Sequence, residues 1–294
     1  MKQEIFRSRW LPWWLSAPQL IVLFLFFYLP IALAFFWAFH LEQPFGGGSE
    51  FVGLQNFRRV LGSGEFWTSA GATLLYMILA SGTSICTALI LALAADRALT
   101  LSPLARNVFI WPKAVASASI GVIFVFILNP FLGILAPLNE IWPGFWNPRT
   151  NVTHTYIMLF VTNVWNAIPF TFIILLAGLQ AIPQELHKAG AMDGSGPWRR
   201  LWDIQLPLLT PQLFVVIVLE VADSLSGSFG LIDTMTQGGP GGATNLLVYK
   251  IYSDGFKAYD LSGAATQTVI LMVLVACITG FQYVFLERKV TYDR

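Results

Sequence analysis

Five stretches of the chain hold no Asp, Glu, Lys or Arg over the ~20 residues that a helix needs to cross a bilayer. They are Trp10 to Leu41, Phe66 to Ala95, Ala114 to Asn139, Thr150 to Gln184 and Leu261 to Leu286. A sixth apolar segment, Leu206 to Phe229, is interrupted by Glu220 and Asp223. The pattern predicts an all-α integral membrane protein with six spans near 13–39, 67–95, 110–129, 154–180, 207–229 and 262–286, forming one domain over 1–294. The loop 181–206 between spans four and five supplies further short helices. The first stretch does not read as a cleaved signal peptide. It is too long, and it ends in Phe35-Phe36-Trp37 without a small-residue cleavage site. Trp13, Trp14 and Tyr28 sit where interface aromatics belong or flank Pro30, a kink site.

Lys and Arg positions orient the spans. With the N-terminus in the cytoplasm, the inner segments hold Lys2, Arg7, Arg9, Arg97, Arg106, Lys113, Lys188, Arg199, Arg200, Arg288, Lys289 and Arg294. The outer segments hold Arg58, Arg59, Arg149, Lys250 and Lys257. Twelve against five favours both termini in the cytoplasm, and an even span count agrees with the basic C-terminal tail.

Composition supports the membrane assignment. Of 294 residues, 17 are Lys or Arg and 16 Asp or Glu, and 56% are hydrophobic. Mean hydropathy is +0.65. A soluble core cannot bury that much apolar surface under so few charges, so cytosolic enzymes, disordered chains and nucleic-acid binders are excluded. Cys86 and Cys277 lie in apolar runs and read as small packing residues. No Cys/His spacing suggests a metal, and no residue set suggests catalysis.

The loops carry the chemistry. In the first outer loop, Phe45-Gly46-Gly47-Gly48 reads as turns, and Phe51-Val52-Gly53-Leu54-Gln55-Asn56-Phe57 as a short surface helix. Gly238-Gly239-Pro240-Gly241-Gly242 lacks the Lys-Ser or Lys-Thr of a phosphate loop. Ile182 to Pro211 reads as helix, turn, helix. Pro183 suits a first helical turn, Asp193-Gly194 a stop, and Pro197 a second start that Pro207 closes. Trp198, Leu201 and Trp202 share one side of that second helix, with Arg199 and Arg200 opposite, on a solvated or headgroup-facing side. Ala189, Gly190, Ala191 and Gly194 would let the hairpin seat closely on another surface. A hairpin lying on the membrane face is the alternative.

That loop resembles the cytoplasmic signature of binding-protein-dependent ABC importer permeases: Glu-Ala-Ala, three residues, Gly, nine residues, Ile-x-Leu-Pro. Ala189 stands at the first Ala, Gly190 at the second, Gly194 at the Gly, and Ile204, Leu206 and Pro207 follow in register. Lys188 replaces the Glu. The loop at 51–57, Asn129-Pro130 with Gly133, and Gly238-Gly239-Pro240 with Thr244, Tyr249, Tyr252 and Phe256 are similar to segments of the sugar-type (maltose-permease-like) group. The ends Phe6 to Pro12 and Glu287 to Tyr292, with Tyr249-Lys250-Ile251-Tyr252, are most similar to the A-type permeases of sn-glycerol-3-phosphate importers. The resemblance implies a multi-pass permease of the bacterial inner membrane that works by alternating access. Its implied partners are a second, unlike permease, two ATPase subunits, a periplasmic or lipid-anchored binding protein and membrane lipid, with no nucleic acid. It implies no cofactor on this chain, ATP being bound by the partner subunits. Lys188, Ala189, Gly190, Asp193, Gly194 and Trp198 are the expected ATPase contact. Gly239 and Pro240 are the candidate contact with the binding protein, or simply a turn above the fifth span.

Polar groups inside spans are costly and so are functional candidates. Glu220 and Asp223, with Ser224 and Gly227, share a face of the fifth helix, and Asn163 and Asn166 a face of the fourth. Either these faces line a substrate passage, or they hydrogen-bond between helices, or the acids pair with a base on the partner permease. Glycerol phosphate is an anion, yet no base lies deep in any span. A neutral sugar as cargo and, in another class, a secondary transporter are therefore kept as alternatives.

Overall fold

A computed structural model describes residues 10–42, 48–97 and 111–286. Lys2, Arg7, Arg9, Arg106, Arg288, Lys289 and Arg294 lie outside the described residues. So do Phe45 to Gly47 and the resemblance-bearing ends Phe6 to Arg9 and Glu287 to Tyr292. The chain divides into two compact units, Met1–Gly64 with Ile251–Met272, and Glu65–Lys250 with Val273–Arg294.

In the first unit, α1 (Leu11–Phe39) is apolar on every side, and Ala38 is its one buried residue. A helix of that kind belongs in lipid or against other spans. Phe24–Tyr28 is π-helical, and the Leu29 N–H donates to the Phe24 carbonyl five residues back. The widened turn ends just before Pro30, which has no N–H to continue an ordinary ladder. Beyond α1, β1 (His40–Glu42) pairs antiparallel with β2 (Ser49–Phe51), a ladder too short to show in the sequence pattern. Asn56, in α2 (Gln55–Leu61), ties it down through Nδ2 to the carbonyls of Ala38 (3.1 Å) and His40 (3.0 Å). Arg59 reaches Asp260 at 2.9 Å.

In the second unit, α6 (Val152–Gln180) is central. It is capped by Asn151, whose side chain accepts from the N–H groups of Thr153 and His154. Phe172, Leu175 and Leu179 of α6 pack on Ala88 and Ala92 of α3 (Gly64–Arg97), and on Leu209 and Val216 at the base of α9 (Thr210–Ser226). Gly178 makes the α6–α9 approach possible, since a Cβ there would stand 2.6 Å from Leu209 Cδ1. Between α3 and α6 lie α4 (Ser117–Ile127) and α5 (Ala136–Ile141). The short α10 (Phe229–Met235) packs along α4. Gly121 of α4 faces the Thr234 hydroxyl, and Gly230 of α10 faces Ser117. Each helix offers a glycine where the other carries a small hydroxyl residue. The chain continues through α11 (Leu247–Tyr252) and α12 (Leu261–Leu286).

The expected six spans are met in part. Among the described residues four helices are long and apolar enough to cross a membrane, and a fifth span results if two bent helices count as one. The third stretch falls short. Its helix, α4, has 11 residues and ends at Ile127, where Asn129-Pro130 turns the chain. Residues 128–147 then fold on themselves. Asn139 binds the carbonyls of Pro130 and Trp146 and the Trp146 N–H, and Trp146 Nε1 donates to the Leu128 carbonyl at 2.7 Å. The bent pair is α8 (Pro197–Leu208) and α9, meeting at 72°. Pro207 was expected to close the short helix. The turn comes after it, at Leu209, because a π-helical stretch, Leu201–Gln205, widens the ladder ahead of the proline and carries the helix through. Cys86 and Cys277 are exposed faces of apolar helices, not core packing.

Candidate functional site

The hairpin after α6 is built from its glycines. Helix α7 (Gln184–Met192) ends with Ser195 N–H donating to the Gly190 carbonyl (2.9 Å) and Gly194 N–H to the Ala191 carbonyl (3.1 Å). This is the Schellman pairing, with Gly194 at φ +70° in the left-handed position. Gly190 is the buried residue of α7, and a Cβ there would stand 3.0 Å from Ile204 Cδ1 and 3.6 Å from Arg200 Cγ. The signature positions thus meet inside the hairpin, holding α7 against α8. Gly190 is consequently no surface for a partner to touch.

The outward face is different. Lys188, Ala189, Asp193 and Gly194 are exposed, as is Trp198 at 75%. Met192 (86%) and Trp202 (64%) extend this apolar crown. Met192 was not singled out from the sequence, because its type and spacing do not set it apart from a core methionine. The two arginines do not share a role. Arg199 makes an exposed pair with Asp203 at 3.2 Å, whereas Arg200 lays its stem over Gly190 and buries its Nε.

The polar residues of the spans fall at two seams of α6. On one, Asn163 donates to Ser84 Oγ (3.1 Å) and accepts from the Tyr76 hydroxyl (3.4 Å), both on α3. On the other, the Thr171 hydroxyl donates to Glu220 Oε1 of α9 at 2.6 Å, and Glu220 is buried. Asn166 and Ser224 are buried, while Asp223 and Gly227 are exposed. The structure therefore does not gather the six candidates into one polar lining. Asn163 and Glu220 join helices, as the hydrogen-bonding alternative has it. Their partners Tyr76, Ser84 and Thr171 were missed, since hydroxyl residues in an apolar run give no sign of facing a neighbour.

The Gly-Pro loop is locked by Thr244, whose hydroxyl donates to the Gly239 carbonyl (2.6 Å) and is hydrogen-bonded to the Thr236 hydroxyl (2.8 Å). Gly239 and Pro240 are half-buried, and the exposed tip is Gly241-Gly242, both at positive φ.

Comparison with known proteins decides the family. The model of the binding-protein-dependent transport system inner membrane component family matches residues 84–292. The chain belongs to this family. It is 38% identical over 292 residues to the sn-glycerol-3-phosphate transport system permease protein UgpA of Rhizobium meliloti, covering 99% of this chain and 100% of the relative. It is also 38% identical over 293 residues, the full length of both, to the protein of the same name from Brucella abortus. Among solved structures, a chain of a bacterial alginate ABC transporter in complex with an alginate pentasaccharide-bound periplasmic protein superposes with TM-score 0.79. Its sequence identity is 20%, with 97% of this chain and 96% of the other covered. That likeness shows the permease fold. Membership places the chain in the inner membrane as a permease subunit, non-catalytic, with ATP hydrolysis on separate ATPase subunits and a binding protein among its partners.

Proposed function

We propose that this permease passes sn-glycerol-3-phosphate, or a related glycerophosphodiester, inward as one half of a heterodimer with an unlike permease, served by two ATPase subunits. The carrying observation is full-length identity of 37–38% to relatives named as sn-glycerol-3-phosphate permeases. Six spans with both termini in the cytoplasm follow from the Lys and Arg distribution. The exposed crown of Lys188, Ala189, Asp193, Gly194, Trp198 and Met192 meets the ATPase. Closure of the ATPases favours the outward-open state, because the hairpin's contact energy differs between the two states. No cofactor is held by this chain, ATP staying with the partner subunits. Asp223 and Gly227 are the passage residues best supported by their exposure, and the Gly241-Gly242 tip beside Gly239 and Pro240 faces the binding protein. A neutral sugar is the second reading, favoured by the buried acid Glu220 and by the lack of a base deep in any span. ATPase stimulation by the binding protein separates the two. Loading with glycerol-3-phosphate should stimulate and loading with neutral sugars should not; stimulation by sugars alone would reject the phosphate assignment.

A further inference from the structure

A pocket of about 150 Å³ opens between the end of α4, the start of α6 and the Gly-Pro loop. Leu128, Met158 and Met235 supply apolar lining, Gly239 and Pro240 form one wall, and Arg149 is the one charged residue of the lining. The Arg149 guanidinium is exposed and makes no ion pair among the described residues. We propose that this pocket receives an acidic side chain of the soluble binding protein, its carboxylate on Arg149 and its hydrocarbon stem on the methionines.

The inference rests on the reading of Gly239 and Pro240 as the outer docking region and assigns that region its anchor. Guanidinium and carboxylate match in charge and in planar, two-point geometry. Asn129 and Thr236 are the polar side chains of the lining beside Arg149. With Asn129 Oδ1 held by the Phe131 and Leu132 N–H groups and Thr236 Oγ1 by Thr244, a free phosphorylated polyol would lose water from its hydroxyls with few partners to gain. A glutamate stem loses nothing on the same surface. The wall is firm, since Thr244 fixes Gly239 through its carbonyl, so the pocket is formed before the partner arrives and little ordering is needed on docking.

The test uses the whole importer, assembled from its co-expressed subunits in lipid nanodiscs, with glycerol-3-phosphate-loaded binding protein titrated in. The readout is the binding-protein concentration that gives half-maximal ATPase stimulation. Arg149→Glu should raise it about tenfold or more, and Arg149→Lys much less. For the unaltered protein it should rise as ionic strength goes from roughly 0.05 to 0.3 M, a dependence that Arg149→Gln should flatten. An unchanged half-maximal concentration in Arg149→Glu together with an unchanged salt response in Arg149→Gln would overturn the proposal. Arg149→Glu lowering only the maximal rate would assign the pocket to the anionic cargo and also overturn it. Absence of any stimulation of the unaltered importer would instead reject the docking reading, and the proposal with it.

Discussion

Gly190 lies against Ile204. A Cβ added to Gly190 would stand 3.0 Å from Ile204 Cδ1, so the second and the later positions of the loop signature touch across the hairpin. The signature is thus a folding instruction before it is a contact surface. It joins α7 to α8, which continues past Leu209 into the apolar helix α9.

Gly190→Ala is expected to stay within about 1 kcal/mol of the unaltered protein. The methyl meets the far end of a flexible side chain, and helix propensity gains about 0.5–1 kcal/mol. Gly190→Leu should overpack the seam at a cost of about 1–3 kcal/mol and reduce ATP-coupled transport. Thermal unfolding and uptake, measured on the same preparations, check both. Equal behaviour of Ala and Leu would show that the seam is slack.

Gly194 has open space around its Cβ position and φ +70°, so its substitutions test backbone alone. Gly194→Ala should cost about 1–2 kcal/mol and Gly194→Asn distinctly less, because Asn tolerates the left-handed region. Gly194→Trp adds bulk on the exposed face and should uncouple transport while the protein still inserts. Melting curves that rank Asn with Ala would remove the Schellman explanation, and normal uptake by the Trp variant would remove this face from the ATPase contact.

Thr171→Val should leave the buried Glu220 without its donor and cost about 1–3 kcal/mol, with Thr171→Ser restoring most of it. A double-mutant cycle with Glu220→Met, which removes both carboxylate oxygens, should give a coupling of about 1 kcal/mol in detergent melts. A coupling near zero would mean that Glu220 does not depend on this bond and would return it to the passage candidates.

Gly121→Ala drives a methyl into the Thr234 hydroxyl and should destabilise the α4–α10 crossing by about 1–3 kcal/mol. Adding Thr234→Ala removes the obstructing atom and should recover part of the loss, as read by thermal unfolding. A double variant no better than the sum of the singles would place the strain elsewhere, Met235 being the next neighbour at 3.2 Å.

Where one physical cause dominated, the sequence was readable. Spans one, two, four and six follow from runs free of charge, and the end of α7 from the one residue type that favours φ +70°. Causes in competition were harder to read. The third span, placed near 110–129, ends as expected just before Asn129-Pro130, but its helix begins only at Ser117, and hydropathy does not register how Asn139 then closes the following loop. Pro207 looked like a helix end, and the π-helical widening that precedes it has no compositional mark. The passage was least legible. Whether Asn163 or Glu220 faces a channel or a neighbouring helix depends on a hydroxyl 87 or 49 residues away, Tyr76 or Thr171.

Uptake by proteoliposomes holding the complete importer tests the account most directly. With ATP inside and binding protein outside, labelled sn-glycerol-3-phosphate should accumulate against its gradient, and removing either component should abolish accumulation. Accumulation driven by an ion gradient without ATP, or accumulation of neutral sugars in place of glycerol-3-phosphate, would contradict it.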